Sequence, residues 1–529
     1  MQKFYQFDTL ASLFDEATQM WKDEPFAQFV DGGQCYTYSS FKDNVFELHA
    51  LLQRYGVGAG DKVAILAENM PNWTVSFFAC VRFGAVAVPL LAGCSAAELE
   101  KILSHSEARV LIISKSQLPK LSEADRARLA AVIDIEDFSI IATSGDAPVP
   151  GTDALPRRDT LATIIYTSGT SGQAKGVMLS HGNLSHSVLE AWHAQKATHN
   201  DRWMSILPMA HAYEMAFGML YPIYAGASVY YIHGLPTPRI LLDAMRKVRP
   251  ALICSVPLII EKIYKVMRKK VAEKPFLSWM DRHTPRLLCK LLGRELNKNL
   301  GGKIKFFGIG GAKLNPEVEQ FLHRSGFNYA IGYGLTETSP LITNACVGKT
   351  AVGSIGVPAY GVEVRLENVN PQTGEGEIIA RGPNVMLGYY KDQERTASVI
   401  TPDGWFHTGD LAVCDKKGRY YIRGRLGNVI LGANGENIYP EEIEEVLNNY
   451  PSVSESLVVE RGKKLVALVK LEEGVEALSA LGEKIKTYVN ERVRKNSALA
   501  RVEFVKEAFK KTATQKIRRF LYREKDEKK

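Results

Sequence analysis

The stretch Ile164-Ile165-Tyr166-Thr167-Ser168-Gly169-Thr170-Ser171-Gly172-Gln173-Ala174-Lys175-Gly176-Val177 decides how the chain is read. An apolar run from Leu161 to Tyr166 stops abruptly at a string of Thr, Ser and Gly. One lysine follows, then a second extended run, Val177-Met178-Leu179. Glycines let backbone N–H groups converge on an anion, hydroxyls add donors and a lysine adds charge. That chemistry is a polyphosphate cradle. It is not a Walker A loop, which places Ser or Thr after the lysine and then a helix. Lys175 is followed instead by Gly176 and a strand-like run. Taken alone, the stretch also reads as a Ser/Gly turn between two strands. The choice rests on what lies downstream.

A chain of 529 residues is too long for one core, so two or more domains are expected. Hydrophobic content of 46% and charged content of 23% suit a soluble globular enzyme. No uninterrupted apolar run reaches the ~18 residues of a membrane span. The start, Met1 to Asp8, has no apolar stretch of the signal-peptide kind. Seven cysteines are dispersed without a C-x-x-C pair, which predicts reduced thiols in a cytoplasmic protein rather than disulfides or zinc.

The net charge of +8 is unevenly spread. Residues 262–305 carry 13 Lys/Arg against 3 Asp/Glu, and residues 501–529 carry 11 against 5. Two basic segments on an acidic body suggest anionic partners: phosphates, a nucleotide-bearing thiol or a lipid surface. The segment 264–300 is basic, helical and interspersed with Phe276, Leu277, Trp279 and Met280. It reads either as a peripheral contact with the inner membrane face or as a packed amphipathic helix pair. No nucleic-acid partner is expected, and an oligomer is left open.

Residues 1 to about 60 read as helices and a short hairpin. Gly56-Val57-Gly58-Ala59-Gly60-Asp61 precedes the strand Val63 to Leu66 rather than following one, so it is a turn and not a dinucleotide fingerprint. A helix from Val75 to Phe83, a strand near Val86, a helix from Ala96 and a strand from Ala108 then alternate. Such alternation predicts a doubly wound α/β sheet. Ser180 or Asn183 is placed to cap the helix after the cradle. Residues 350–423 read as short strands, and 427–529 as a small α+β region.

Several further strings follow in order. They are Leu207-Pro208-Met209-Ala210-His211-Ala212-Tyr213-Glu214, the run Ala251 to Ile263, Gly310-Gly311-Ala312, and Gly332-Tyr333-Gly334-Leu335-Thr336-Glu337. Next come Gly376-Glu377-Ile378, Gly388-Tyr389-Tyr390, Trp405-Phe406-His407-Thr408-Gly409-Asp410 and Tyr420 to Arg425. Near the end lies Lys510-Lys511-Thr512-Ala513-Thr514-Gln515-Lys516-Ile517-Arg518-Arg519. With the opening stretch, this series resembles the adenylate-forming enzymes, the acyl-CoA synthetase superfamily, over essentially residues 10 to 520. The strings at 207–214 and 251–263 look like its bacterial long-chain fatty acid branch. The second match is partial, because Leu258 stands where that branch has Arg.

The resemblance implies a large N-terminal domain, residues 1–425, of doubly wound sheets plus a β subdomain, and a small mobile C-terminal domain, 426–529. It implies that a carboxylic acid reacts with ATP to give acyl-AMP and pyrophosphate, and that a thiol then displaces AMP. Mg²⁺ would be held by Thr167 and Glu337. ATP would be held by Thr167, Ser168, Gly169, Thr170, Ser171, Gly172 and Lys175. Further ATP contacts would come from Gly311, Ala312, Gly332, Tyr333, Gly334, Thr336, Asp410 and Arg425. Tyr333 would stack on adenine, Asp410 would take the ribose hydroxyls, and Glu337, Arg425 and Lys516 would be catalytic. His211, Tyr213 and Gly310 would border the acyl pocket. The thiol would be coenzyme A or an acyl carrier protein, and the acid a fatty acid, with medium-chain and aryl acids as alternatives. A non-catalytic homologue disagrees with the joint presence of Lys175, Glu337, Asp410, Arg425 and Lys516. An amino-acid-loading enzyme would need an Asp in Trp203 to Met219, and there is none. Two departures from the family pattern stand out: Gln515 replaces Gly, and Gly427 and Leu431 stand where some members have lysines.

Overall fold

The computed structural model describes residues 7–145, 150–168, 174–234, 237–431, 437–462, 464–511 and 517–522. Two compact units emerge. The first contains most of residues 7–406; the second contains 365–379 and 407–522.

The first unit holds two large sheets. In the eight-stranded one the order is Gly388–Tyr389, Ala174–Ser180, Leu161–Ser168, Val86–Leu90, Lys62–Leu66, Ala108–Ile113, Ala131–Asp134 and Ile140–Thr143. Its central strands run parallel, and the helices Pro71–Val81 and Ala96–Ser106 connect them, as the alternating pattern predicts. Buried on both faces, these strands read as continuous apolar runs, such as Val63 to Leu66 and Val110 to Ile113. The nine-stranded sheet has the strands Arg202–Met204, Leu252–Ser255, Phe306–Ile309 and Tyr329–Tyr333 side by side and parallel. Its far edge is the expected N-terminal hairpin, Pro25–Phe29 with Cys35–Thr37.

Parallel neighbours bring their C-terminal ends to one edge, where open α/β sheets bind ligands. Here that edge gathers 205–214, Val256, Gly310 to Ala312 and Gly334 to Glu337. The motifs lie far apart in the chain; sheet order is what makes them neighbours.

Residues 257–299 form three helices, Pro257–Glu273, Pro275–His283 and Pro285–Asn299, each opened by a proline that lacks the N–H a first turn leaves unpaired. Their inner face joins a core with Met204, Phe307 and Leu322. Met280 belongs to that core and Leu277 packs against it, so of the four apolar residues singled out in this segment only Phe276 and Trp279 are exposed. Among the described residues no helix is long and apolar enough to cross a membrane. All seven cysteines are free thiols.

The second unit carries most of a four-stranded sheet, Glu363–Glu367, Gly376–Arg381, Phe406–Cys414 and Tyr420–Arg425, whose last two strands pair antiparallel. It also carries a three-stranded sheet, in which Val453–Arg461 pairs antiparallel with Lys464–Leu471 and the latter runs parallel to Arg501–Phe504. The helices Pro440–Asn448 and Ser479–Asn490 cover that sheet around Ile443, Leu447, Ile485 and Val489.

Candidate active site

The expected cradle falls between two strands of the eight-stranded sheet. The strand Leu161–Ser168 delivers Thr167, and Ala174–Ser180 takes the chain back with Lys175 in its first turn of pleat. Gly169, Thr170, Ser171 and Gly172 lie outside the described residues, as does the Ser168 side chain. Ser180 then caps the next helix: its Oγ accepts the Asn183 N–H at 3.1 Å, and the Asn183 side chain accepts the Ser180 N–H at 2.9 Å. Asn183 Nδ2 also donates to the carbonyls of Pro383, at 2.7 Å, and Val385, at 2.9 Å.

That tie fixes the segment just before residues 386–390, which run along the outer edge of Ala174–Ser180. Leu387 N–H donates to Met178 O at 2.9 Å, Tyr390 N–H to Gly176 O at 2.7 Å, and Met386 N–H to Glu337 O at 2.9 Å. Tyr389 is thereby held between the two charged residues of the motif set. Its hydroxyl donates to Glu337 Oε1 at 2.9 Å, and Lys175 Nζ stands 5.0 Å from its ring centroid. Burial and the adjacent carboxylate push the Tyr389 phenol far above its usual range, so it remains a donor. Sequence reading noted Gly388-Tyr389-Tyr390 as a motif but gave Tyr389 no role.

A hydrogen bond to a carboxylate contributes about 1.5–3 kcal/mol. Tyr389→Phe is therefore expected to slow adenylate formation by roughly 10- to 100-fold, while a supplied acyl-adenylate is passed to the thiol at the normal rate. Single-turnover measurement of the two halves checks this; equal slowing of both would refute it.

The glycines of the motifs expected to face adenine have reasons in the backbone geometry. Gly311 has φ +83°, a left-handed conformation that favours glycine. A Cβ on Gly334 would lie 2.0 Å from Pro340 O, so no larger residue fits. Gly311 and Ala312 are exposed, and Gly332, Tyr333, Gly334 and Thr336 are half-buried. These residues remain reachable, whereas Glu337 is 9% exposed.

The residues expected to border the acyl pocket gather at the same sheet edge. His211 Nδ1 accepts the Tyr213 N–H at 3.2 Å, which puts the ring proton on Nε2. Tyr213 reaches over the strand Phe306–Ile309: a Cβ on Gly308 would stand 2.6 Å from its hydroxyl, and one on Gly310 3.5 Å from its ring. Gly308 is thus the glycine Tyr213 requires, and it was missed. A glycine inside the strand Phe306-Phe307-Gly308-Ile309 is itself the sign of a close approach. Glu214, the last residue of the 207–214 string, was given no role by the sequence reading. It opens a π-helical turn, Glu214–Leu220, is 1% exposed, and among the described residues neither carboxylate oxygen meets a hydrogen-bond partner.

In the second unit Asp410 and Arg425 face each other across two antiparallel strands, with Arg425 Nε 3.0 Å from Asp410 Oδ1. The turn before Asp410 is fixed by Glu377, which accepts from Gly409 N–H at 2.9 Å and bonds His407 Nδ1 at 2.9 Å. Gly424 is needed because a Cβ there would lie 2.6 Å from the Tyr439 ring, and Tyr439 donates to Glu375 Oε2 at 2.8 Å. Lys516 and Gln515 lie outside the described residues, as do 432–436 and the Leu431 side chain. The chain flanking 512–516 is anchored. Lys511 pairs with Ile517, Arg518 N–H donates to Lys510 O at 2.8 Å, and Arg519 grips Glu444 with two bonds of 2.7 Å.

Among the described residues no three His, Cys, Asp or Glu side chains form a metal cage. One carboxylate, Glu337, and one hydroxyl, Thr167, suit a hard ion that takes its remaining ligands from phosphates and water, as Mg²⁺ does.

Comparison with known proteins agrees with this geometry. Residues 14–390 match the family model described as AMP-binding enzyme, and 442–516 match the AMP-binding enzyme C-terminal domain. The chain is 31% identical to the peroxisomal long chain acyl-CoA synthetase 7 of Arabidopsis thaliana, over 85% of this chain and 71% of the relative. It is also 31% identical to a feruloyl-CoA synthase of Amycolatopsis sp, over 81% of each. Its fold is similar to that of o-succinylbenzoate CoA synthetase from Bacillus subtilis in complex with its acyl-adenylate, with a TM-score of 0.80, 24% identity and 98% of both chains covered. That synthetase has also been solved with ATP and a magnesium ion.

Proposed function

The chain belongs to the AMP-binding enzyme family and is an ATP-dependent acyl-CoA ligase; we propose that the acid it activates is a long-chain fatty acid. The observation that carries the ligase reading is the Lys175–Tyr389–Glu337 constellation beside the strand Ala174–Ser180. The fatty-acid reading is supported by the acyl-side wall, where Met209, Ala212, Met215, Phe217 and Met219 are buried and no Asp or cation intervenes. An aryl acid is the second reading, favoured by the feruloyl relative.

In the first half-reaction a carboxylate oxygen bonds to the α-phosphorus of ATP and the bond to the β-phosphate oxygen breaks, releasing pyrophosphate. Two anions must meet, so the barrier is largely electrostatic. Lys175, the cradle donors and Lys516 oppose that repulsion, and a preorganised donor of this kind contributes roughly 2.7–4 kcal/mol. Thr167 and Glu337 would hold Mg²⁺, which when bound neutralises phosphate charge. Asp410 would take the ribose hydroxyls, with Arg425 orienting it. In the second half-reaction the thiol sulfur bonds to the acyl carbon, the acyl–phosphate oxygen bond breaks, and AMP leaves. The thiol proton passes to solvent.

The small domain, 426–529, would reorient between the halves about the residues after Arg425. Gly427 has open space where a Cβ would stand, so Gly427→Ala should be silent. Gly427→Pro, which fixes the backbone, should keep adenylate formation and lose thioester formation. Equal loss of both activities would count against the reorientation.

The test of the function is acid-dependent pyrophosphate release with ATP and Mg²⁺ over acetate to oleate plus benzoate and ferulate, with and without coenzyme A. Rates peaking with the long chains, with acyl-CoA and AMP formed together, support the proposal. A peak at ferulate or benzoate moves the reading to an aryl acid. Adenylate that turns over only on an acyl carrier protein replaces coenzyme A as the thiol.

A further inference from the structure

The three helices of 257–299 bury one face through Met267, Val271, Met280, Leu292 and Leu296. A packed amphipathic bundle would be polar on the other face. This one is not. Phe276 is 67% exposed, Val266 57%, Leu287 53%, Leu258 51%, Trp279 47% and Leu291 41%. Helical spacing sets cations beside them: Lys262, Lys269 and Lys270 share the stripe of Leu258 and Val266, and Lys290, Arg294 and Lys298 share that of Leu287 and Leu291. The segment 257–299 holds 11 Lys/Arg against 4 Asp/Glu. Of those acids, Asp281 is taken by both terminal nitrogens of Arg268, at 3.0 and 2.9 Å, which locks the first helix to the second.

The exposed rings are ordered. Phe276 stacks on Trp279 with centroids 6.3 Å apart and planes 15° apart, and Trp279 stacks on His283 at 5.0 Å and 20°. A rigid set of outward aromatic rings within a cationic field has the chemistry of a bilayer interface. The rings enter at headgroup depth, and Lys and Arg stems lie along apolar surface while their charges meet lipid phosphates.

We propose that the outward face of these helices docks the enzyme on an anionic lipid bilayer, with Phe276 and Trp279 as its inserted residues. The proposal stands apart from the identity of the acid, so the two can fail separately. The experiment is flotation of the full-length protein, without nucleotide, on vesicles of phosphatidylcholine alone and of phosphatidylcholine with phosphatidylglycerol.

Partition onto the anionic vesicles is expected to be at least about tenfold stronger, and to weaken as salt is raised. The double variant Phe276→Ser with Trp279→Ser, and the charge reversal Lys290→Glu with Arg294→Glu, should each lose most of it. Both should keep the wild-type melting temperature and pyrophosphate release with a short, soluble acid. Absence of wild-type binding, equal binding to both vesicle types, or variants that bind as well as wild type would each overturn the proposal. So would a loss of flotation that merely tracks a lowered melting temperature, or these same residues mediating retention on an acyl carrier protein while vesicles are ignored.

Discussion

Lys516→Ala is expected to slow adenylate formation about 100- to 1,000-fold and to leave the transfer of a supplied acyl-adenylate to coenzyme A nearly intact. The asymmetry follows from charge. Bringing a carboxylate against a triphosphate sets two anions at bonding distance, and a cation placed for that moment stabilises the transition state more than either reactant alone. Thiol attack on acyl-AMP has no such meeting of anions, so the lysine has little to offer there. The described chain on either side of 512–516 is held in place. Lys511 and Ile517 pair across the loop, Lys511 is ion-paired to Glu455, and Arg519 is held by the half-buried-to-buried Glu444 through two bonds. The two halves are measured separately, as pyrophosphate release from ATP and acid, and as thioester from synthetic acyl-adenylate. A parallel fall in both would mean that the substitution damaged the small domain, and no fall in either would remove Lys516 from the chemistry. Gln515→Gly, which restores the residue usual in the family, separates loop geometry from charge: its effect should be small beside that of Lys516→Ala.

What could be read from the sequence was whatever local chemistry dictates. The Ser180–Asn183 cap needs two residues three apart, and both are visible in the string. The strand after Lys175 was legible because Val177-Met178-Leu179 cannot be mistaken for the helix of a Walker loop. Alternating strands and helices foretold the doubly wound sheet. Contacts made across the chain were not legible. Tyr389 is one of two adjacent tyrosines, and only the pairing of its short strand Gly388–Tyr389 against Ala174–Ser180 brings it to Glu337. Asp410 and Arg425 were found separately by motif, yet that they bond each other depends on the register of two strands and a bulge between Leu411 and Ala412. Met280 shows the same limit from the other side. A basic helical run does not say which of its apolar residues turn inward, and Met280 joined the core while Trp279 beside it did not.

Glu214→Gln is expected to make the first unit more stable at alkaline pH, by up to about 5 kcal/mol at pH 8 and above, while changing it little near pH 5. The wild-type carboxyl is completely enclosed at the head of a π-helical turn, and Gly218 is there to make room for it: a Cβ at that position would stand 2.4 Å from the carboxyl carbon. Burial is the largest effect and pushes its pKa up to about 8; the Ser205 side chain and the Leu207 backbone pull the other way by less. The groups that feel its charge, Tyr213, Tyr231 and Cys254, are themselves pushed up by burial and stay neutral, so among the described residues no cation offsets ionisation. The sign follows from linkage. The folded-state pKa lies above the unfolded value of 4.5, so the folded state binds the proton more tightly. Stability from this group is fully present below about pH 4.5, falls by about 1.4 kcal/mol per pH unit between there and about pH 8, and is constant beyond. Glutamine keeps the shape and cannot ionise, so the variant lacks that slope. Melting temperatures of the two proteins, taken in parallel from pH 5 to pH 9, should separate steadily up to about pH 8 and then run level. Other titrating groups are common to both and cancel in the difference. Curves that stay parallel throughout would mean that Glu214 finds a partner or water when ionised. Such a partner would also make it a charged element of the acyl wall at neutral pH, which would count against an unmodified apolar pocket for a fatty acid chain.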